Sequence, residues 1–263
     1  MSVFLAALLG LVQGLCEFLP VSSSGHLVLL QNIFGISEGA LFFDTMLHLG
    51  TLFAVAFAFR KTLFAMFRRP FKKYPMFVVL ATVPTVIITL LLKDFIEDSY
   101  SGSLLGWGFL VTALLLTVTN RLSETFGGNH RIEGMKAGHA LLIGAAQGLA
   151  VFPGVSRSGS TISGGLFCGL EREFAAEFAF MMSIPAILGA TVLQVKDVME
   201  AGIGTVEWVP VMVGMAAAFF SGLFAIKWMM NIVKKGRLKW FAVYTGVLGA
   251  LVLLDRYVTH LFF

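Results

Sequence analysis

The residues able to carry out chemistry lie in two short segments of an otherwise apolar chain of 263 residues. One segment holds a carboxylate, three consecutive serines and a histidine, and the other holds an arginine between two serines: Glu17, Ser22, Ser23, Ser24, His26, Ser156, Arg157 and Ser158. Hydroxyl and guanidinium groups bind phosphate oxygens, and glutamate, serine and histidine act as bases or nucleophiles. These residue types favour chemistry on a phosphate or diphosphate group.

The two segments are copies of one another. Residues 10–25 read GLVQGLCEFLPVSSSG, residues 144–159 read GAAQGLAVFPGVSRSG, and nine of the sixteen aligned positions are identical. Each copy is an apolar helical run that stops at a proline-containing break, passes through serines and begins again at a glycine. A helix that starts inside a membrane presents unpaired N–H groups and the positive end of its dipole, which together attract an anion.

We therefore predict one phosphate-binding site built from both breaks. Its candidate ligands are a guanidinium, several hydroxyl groups and two glycines that admit a ligand to the backbone: Arg157, Ser22, Ser24, Ser156, Ser158, Thr161, Gly25 and Gly159. The alternative is that these serines only cap two helices, although a cap needs one serine per helix.

The candidate catalytic residues are Glu17, His26 and Ser23. A carboxylate at the centre of a bilayer costs about 2.5–3.5 kcal/mol, so pairing or function must offset it. His26 follows Ser23 by three residues, which places both on one helical face. The nucleophile is left open between Ser23, His26 and water. The alternative for Glu17 is an ion pair with Arg157 that only pins the two segments together.

Few other polar side chains lie in the apolar segments. Gln13 precedes Glu17 by one helical turn. Asp44 and His48 share one face of a later helix, where we expect them to contact the site residues; the alternative is that they face a polar cavity. Metal ligands are sparse. A divalent cation would be held mainly by the substrate's phosphates and Glu17, with Gln13 as a weak ligand.

The composition identifies a polytopic membrane protein. The chain is 57% hydrophobic and 13% charged, with a mean hydropathy of +0.87. Its net charge of +4 does not indicate a nucleic-acid partner, because the basic residues cluster in short loops between apolar runs.

Each half is predicted to be an all-α repeat, with one re-entrant helical hairpin and three transmembrane helices. The first repeat, residues 1–127, has a hairpin at 3–34 and spans near 40–59, 74–92 and 102–120. The second repeat, residues 135–263, has a hairpin at 135–169 and spans near 174–195, 209–226 and 238–254. Three crossings are an odd number, so the second repeat enters the membrane inverted, and both form one membrane domain.

The positions of the basic residues predict the orientation. Segments 60–74, 120–139, 170–173 and 227–239 hold fifteen of the nineteen lysines and arginines. The repeat model places all four on one side, which is the cytoplasmic side by the positive-inside rule. The first hairpin then enters from the outer side and the second from the cytoplasm, and we expect the site to open to the outer side.

The runs QGLCEFLPVSSSGH (residues 13–26) and PGVSRSGST (residues 153–161) resemble the two signatures of the undecaprenyl-diphosphatase, or bacitracin-resistance, family. The resemblance covers nearly the whole chain, including the pair Phe43–Asp44. It implies hydrolysis of undecaprenyl diphosphate to the monophosphate, which recycles the lipid carrier of peptidoglycan synthesis, and dependence on Mg²⁺ or Ca²⁺. It also implies that bacitracin competes for the lipid substrate and does not bind the protein.

The resemblance implies residue roles as well. Glu17 corresponds to the family's essential glutamate, Ser23 and His26 to its nucleophile candidates, and Arg157 to its diphosphate-binding arginine. Gln13 stands where many members have a second glutamate. A polyprenyl-phosphate transporter or flippase with the same midplane anion site is the alternative function, and a homodimer is left open.

Overall fold

The structure is a computed structural model that describes residues 1–36, 40–69, 72–100, 102–125, 128–201 and 207–263. Its first half contains α1 (Val3–Phe18), α2 (Ser23–Phe34), α3 (Ala40–Ala58), α4 (Arg60–Arg68), α5 (Lys73–Leu91), α6 (Lys93–Ser99) and α7 (Leu105–Thr125). Its second half contains α8 (Ala137–Leu149), α9 (Arg157–Phe167), α10 (Arg172–Ala201), α11 (Trp208–Lys234) and α12 (Lys239–Leu254), followed by a π-helical turn at Asp255–Thr259.

The prediction of an all-helical protein with several membrane spans is confirmed. Five helices among the described residues are long and apolar enough to cross a membrane, and α3 with α4 makes a sixth if the bent pair is one span. α1 and α2 have the predicted bounds of the first hairpin. The reason is local: Leu19, before Pro20, is extended and cannot continue the helix.

Several helices differ in extent from the predicted spans and loops. The basic segment 60–74, predicted as a loop between spans, contains α4, and α6 lies between the predicted spans at 74–92 and 102–120. α10 and α11 extend beyond the predicted spans at 174–195 and 209–226, while α7 begins and ends later than the predicted 102–120. The spans were predicted from runs of apolar residues, and such a run ends at the first charged residue. Lysine, arginine and glutamate are nevertheless good helix formers, so the helices continue through them.

The first helix of each hairpin packs against a span of the other half. α1 lies along α11, where a Cβ at Gly10 would collide with the carbonyl of Gly214. α8 lies along α5, where a Cβ at Gly144 would collide with the carbonyl of Ala81. Gly10 and Gly144 are equivalent in the repeat, so the same small residue permits the same close approach twice. The inverted orientation of the halves and their boundary at 127–135 stay predictions.

Candidate active site

Both breaks are capped in the same way. Ser22 caps α2 and its Oγ accepts from the N–H of Gly25 at 3.3 Å, while Ser156 caps α9 and its Oγ accepts from Gly159 at 3.1 Å. Ser22 adopts φ of 69°, a left-handed conformation that is uncommon for a residue with a side chain. Capping therefore accounts for one serine in each copy, and the remaining serines and Arg157 are available for other contacts.

The two breaks contact each other directly. The N–H of Gly154 donates to Ser22 Oγ at 3.1 Å, and Ser158 Oγ donates to the carbonyl of Leu19 at 2.9 Å. A Cβ at Gly25 would lie 2.9 Å from the nitrogen of Gly154. The small size of Gly25 is thus required where the hairpins touch, and direct approach of a ligand to this glycine stays a prediction.

Thr112 of α7 ties the second break to the body of the protein. Its Oγ1 accepts from the N–H of Ser156 at 2.9 Å and donates to the carbonyl of Gly154 at 2.8 Å. No pattern in the sequence singled out Thr112, because a threonine in an apolar span more often bonds to its own helix.

Glu17 and Arg157 meet where the breaks converge. Oε1 of Glu17 forms an ion pair with Nη2 of Arg157, and Oε2 accepts from Ser23 Oγ and from Gln13 Nε2, the latter at 3.0 Å. The side chain of Glu17 is 3% exposed and that of Arg157 is 20% exposed. The fold has thus brought a carboxylate, a guanidinium and a hydroxyl from separate segments into one buried cluster.

Two atoms of this cluster are buried without a hydrogen-bond partner in the described part of the chain. They are Nη1 of Arg157, which is a donor, and Oε1 of Gln13, which is an acceptor. An unsatisfied buried polar atom costs about 1–3 kcal/mol, so such atoms often mark a ligand site. The donor suits a phosphate oxygen and the acceptor suits a cation or a water molecule.

His26 points away from Glu17. Its Nδ1 lies 2.7 Å from the carbonyl of Ser22, which can only accept, so Nδ1 carries a proton. When the ring is neutral, Nε2 accepts from the hydroxyl of Tyr244 at 2.7 Å. The ring also stacks on Tyr244, with centroids 5.7 Å apart, and meets the edge of Phe109. The predicted proximity of His26 and Ser23 is found along the helix, but their polar atoms have different partners.

Tyr244 is a site residue that sequence reasoning missed. It lies on α12, within a largely apolar span, and is separated from His26 by 218 residues of chain. The only signal was a phenol among aliphatic residues, which is ordinary near a membrane surface. Its hydroxyl is the partner of Nε2 of His26, the nitrogen that the Ser22 carbonyl leaves without a proton when the ring is neutral.

The predicted supporting residues Asp44 and His48 have different surroundings. His48 Nδ1 lies 2.9 Å from Gln13 Nε2 and 3.6 Å from Glu17 Oε2, so His48 belongs to the charged cluster. Asp44 accepts from Gln31 Nε2 at 2.8 and 3.0 Å, which links α3 to α2 outside that cluster. The two residues share one helical face, but His48 contacts Gln13 and Asp44 contacts Gln31.

The other candidate phosphate ligands lie around the breaks, with hydroxyls bound within the protein. Thr161 Oγ1 donates to the carbonyls of Arg157 at 2.9 Å and Ser158 at 3.2 Å, and Ser24 Oγ lies 3.4 Å from Ser22 Oγ. A Cβ at Gly159 would lie 3.1 Å from Ser156. The first two N–H groups of α9, on Arg157 and Ser158, have no partner inside the helix by position. Phosphate binding by these residues stays a prediction.

No group of three or more His, Cys, Asp or Glu side chains that could hold a metal ion occurs in the described ranges. A cation could bind at the unpartnered Oε1 of Gln13, whose Nε2 donates to Glu17. This set fits an ion that takes most of its ligands from phosphate and water, as Mg²⁺ commonly does.

Comparisons with known proteins give one consistent result. The family profile described as bacitracin resistance protein BacA matches residues 6–251. An undecaprenyl-diphosphatase of Carboxydothermus hydrogenoformans is 48% identical, over 96% of this chain and 97% of its own length. An undecaprenyl-diphosphatase of Alkaliphilus metalliredigens is 42% identical over 97% and 98%, and undecaprenyl-diphosphatase 4 of Bacillus thuringiensis is 41% identical over 98% of both chains.

Proposed function

The chain belongs to the bacitracin resistance protein BacA family, and from this membership we propose that it hydrolyses undecaprenyl diphosphate to undecaprenyl phosphate and inorganic phosphate. The observation that carries the proposal is the buried cluster of Glu17, Arg157 and Ser23, in which Nη1 of the guanidinium is left without a partner. The cluster offers a proton acceptor, a hydroxyl nucleophile and a phosphate-binding group in contact with one another.

Arg157 binds the terminal phosphate. The ion pair with Glu17 fixes the plane of the guanidinium and leaves Nη1 for a phosphate oxygen. A guanidinium held before substrate arrives stabilises charge that develops on phosphoryl transfer without having to reorganise. The N–H groups that open α9 add further donors on the same side of the break.

Ser23 is the proposed nucleophile. Its hydroxyl donates to Glu17 Oε2, so the carboxylate can take the proton as Oγ forms a bond to the terminal phosphorus. The bond from that phosphorus to the bridging oxygen breaks, and undecaprenyl phosphate leaves with the proton that Glu17 took from Ser23, which returns Glu17 to the carboxylate. Water then cleaves the phosphoserine with Glu17 as base, which releases inorganic phosphate and restores the serine. His26 is less suited to attack, because both of its nitrogens are hydrogen-bonded away from Glu17.

Mg²⁺ or Ca²⁺ is proposed as the cofactor. Glu17 and Oε1 of Gln13 would hold the ion together with the substrate's phosphates, and the ion would neutralise part of their charge. Gln13 supplies a neutral oxygen where a second glutamate would supply a charge, so we expect the protein alone to bind the cation weakly.

The protein is a multi-pass membrane protein, and we place it in the bacterial inner membrane with the site open to the outer side. The concentration of basic residues in four segments supports this orientation. The lipid partner is the polyprenyl diphosphate, for which bacitracin would compete. A transporter would need the anion site but no nucleophile paired with a base, so the Ser23–Glu17 contact favours the hydrolase.

The decisive experiment is to incubate the purified protein in detergent with undecaprenyl diphosphate and to measure inorganic phosphate and the monophosphate lipid. Glu17→Gln keeps the shape of the side chain but removes its charge, and we expect at least about a 100-fold loss of turnover. Glu133→Gln, on the exposed surface, is the matched control. Absence of phosphate release by the wild type, or retained turnover in Glu17→Gln, would refute the proposal.

The nucleophile is tested by quenching the reaction with radiolabelled substrate and treating the labelled protein with acid. Phosphoserine survives acid, whereas phosphohistidine does not. An acid-stable label that disappears in Ser23→Ala supports Ser23, and an acid-labile label that disappears in His26→Ala contradicts it. A failure to trap any label while Ser23→Ala stays active points to direct attack by water.

A further inference from the structure

α4 is a short helix that does not join the core. Its nine residues, Arg60–Arg68, follow α3 after one residue, and the chain bends by 77° between them. None of its residues is buried. α3 is nineteen residues long, about 28 Å of helix, which nearly crosses a bilayer core before the bend. α4 therefore runs across the end of a membrane span and is held within one residue of it.

One side of α4 contacts the protein. Leu63 and Met66 pack against the main hydrophobic cluster, and Thr62 Oγ1 lies 3.5 Å from a carboxylate oxygen of Glu177 on α10. These contacts fix the rotation of the helix about its axis, because residues three and four apart share a face.

The other side is open and combines aromatic and basic residues. Phe64 is 59% exposed and Phe67 is 75% exposed. At 100° per residue, the rotation set by the contacts of Leu63 and Met66 directs five residues outward: Arg60, Lys61, Phe64, Phe67 and Arg68. The guanidinium of Arg68 lies 4.8 Å from the ring centre of Phe64, so cation and ring are presented side by side.

The positive charge of this face is not neutralised by the protein. No acidic residue occurs from Arg60 to Lys73 in the sequence. Within the described ranges, Arg60, Lys61 and Arg68 form no ion pair, whereas basic residues elsewhere on this side do, as in Lys234 with Glu173. The face is therefore suited to an anionic partner that also accepts two phenyl rings.

We propose that the outer face of α4, consisting of Arg60, Lys61, Phe64, Phe67 and Arg68, is a binding site for anionic phospholipid headgroups. The phenyl rings enter the acyl boundary and the cations contact the phosphates, as in amphipathic helices that lie in the membrane interface. A soluble acidic protein would meet the same charges but would not explain two exposed rings beside a membrane span. Each cation near an anionic surface contributes about fivefold in affinity.

The site is independent of the catalytic proposal and is tested without an activity assay. Delipidated protein in neutral detergent is titrated with phosphatidylglycerol or phosphatidylcholine, and bound lipids are counted by native mass spectrometry. The triple variant Arg60→Gln, Lys61→Gln, Arg68→Gln is compared with a control triple that removes the same charge elsewhere, Lys234→Gln, Lys235→Gln, Lys239→Gln. We expect at least about a tenfold loss of phosphatidylglycerol affinity in the first and less than threefold in the second.

A second variant separates the rings from the charges. Phe64→Ser with Phe67→Ser keeps all three cations, and we expect it to weaken the binding of both lipids. All altered side chains are exposed, so thermal melting should match the wild type. The proposal is overturned if the α4 triple binds phosphatidylglycerol like the wild type, or if both triples lose affinity equally. It is also overturned if the serine variant keeps full affinity, or if an acidic protein ligand binds α4 while phosphatidylglycerol does not.

Discussion

Arg157→Lys is expected to remove most of the activity and leave the fold intact. In the wild type, Nη2 of Arg157 pairs with Glu17 and Nη1 is buried without a partner. Lysine keeps one positive charge beside Glu17 but lacks the second, coplanar donor. Loss of one pre-positioned donor to a developing oxyanion lowers kcat about 10²–10³-fold, or about 2.7–4 kcal/mol of activation free energy.

The same substitution should change the free energy of unfolding little, because the carboxylate of Glu17 keeps a cation. Arg157→Ala gives the contrast. It leaves a carboxylate that is 3% exposed without its counter-charge, which costs about 3–5 kcal/mol of stability. The alanine variant should therefore lose both activity and stability, whereas the lysine variant should lose activity and keep its stability.

The assay is phosphate release from undecaprenyl diphosphate at saturating substrate, with thermal unfolding followed in the same detergent. Arg68→Lys, which makes the same replacement on an exposed helix, is the control and should match the wild type in both measurements. Near-normal turnover in Arg157→Lys would show that the free guanidinium nitrogen does not bind substrate. A lysine variant that unfolds as readily as the alanine variant would mean that the ion pair only joins the hairpins.

Three further predictions follow from single contacts. Gln13→Glu places a second carboxylate about 3.0 Å from Glu17, so the Mg²⁺ concentration for half-maximal activity should fall about tenfold. Tyr244→Phe leaves the buried Nε2 of His26 without its donor, so it should cost about 1 kcal/mol of stability in thermal melting with little change in kcat. Gly14→Ala puts a methyl group 2.8 Å from a backbone nitrogen of α11 and should cost about 1–3 kcal/mol of stability, whereas Gly164→Ala, with its nearest neighbour at 3.6 Å, should not.

Each of these has its own control and contrary result. For Gln13→Glu, activity is measured against Mg²⁺ concentration after a chelator has removed bound metal. A titration curve like that of the wild type would show that Gln13 does not bind the cation. Tyr257→Phe makes the same change on an exposed tyrosine, so equal effects of the two substitutions would contradict a specific role for Tyr244. Equal melting temperatures for the two glycine variants would mean that α1 and α11 can separate without cost.

The sequence by itself determined the class of protein, the helices of the first hairpin and the identity of the charged pair. The composition specifies a membrane protein because apolar residues at this density cannot stay in water. α1 and α2 end and begin as predicted because Pro20 and the capping serine act within a few residues of the break. Glu17 and Arg157 could be paired in advance because they occupy related copies of one segment and a buried charge needs a partner.

Only the tertiary structure decided which side chains each polar group contacts. Tyr244 contacts His26, from which it is separated by 218 residues of chain. His48 contacts Gln13 in the charged cluster, whereas Asp44 accepts a hydrogen bond from Gln31 outside it. These choices depend on how each helix is rotated about its axis and on which span lies opposite. Periodicity identifies a face of a helix, but the packing of distant helices determines the neighbour of that face.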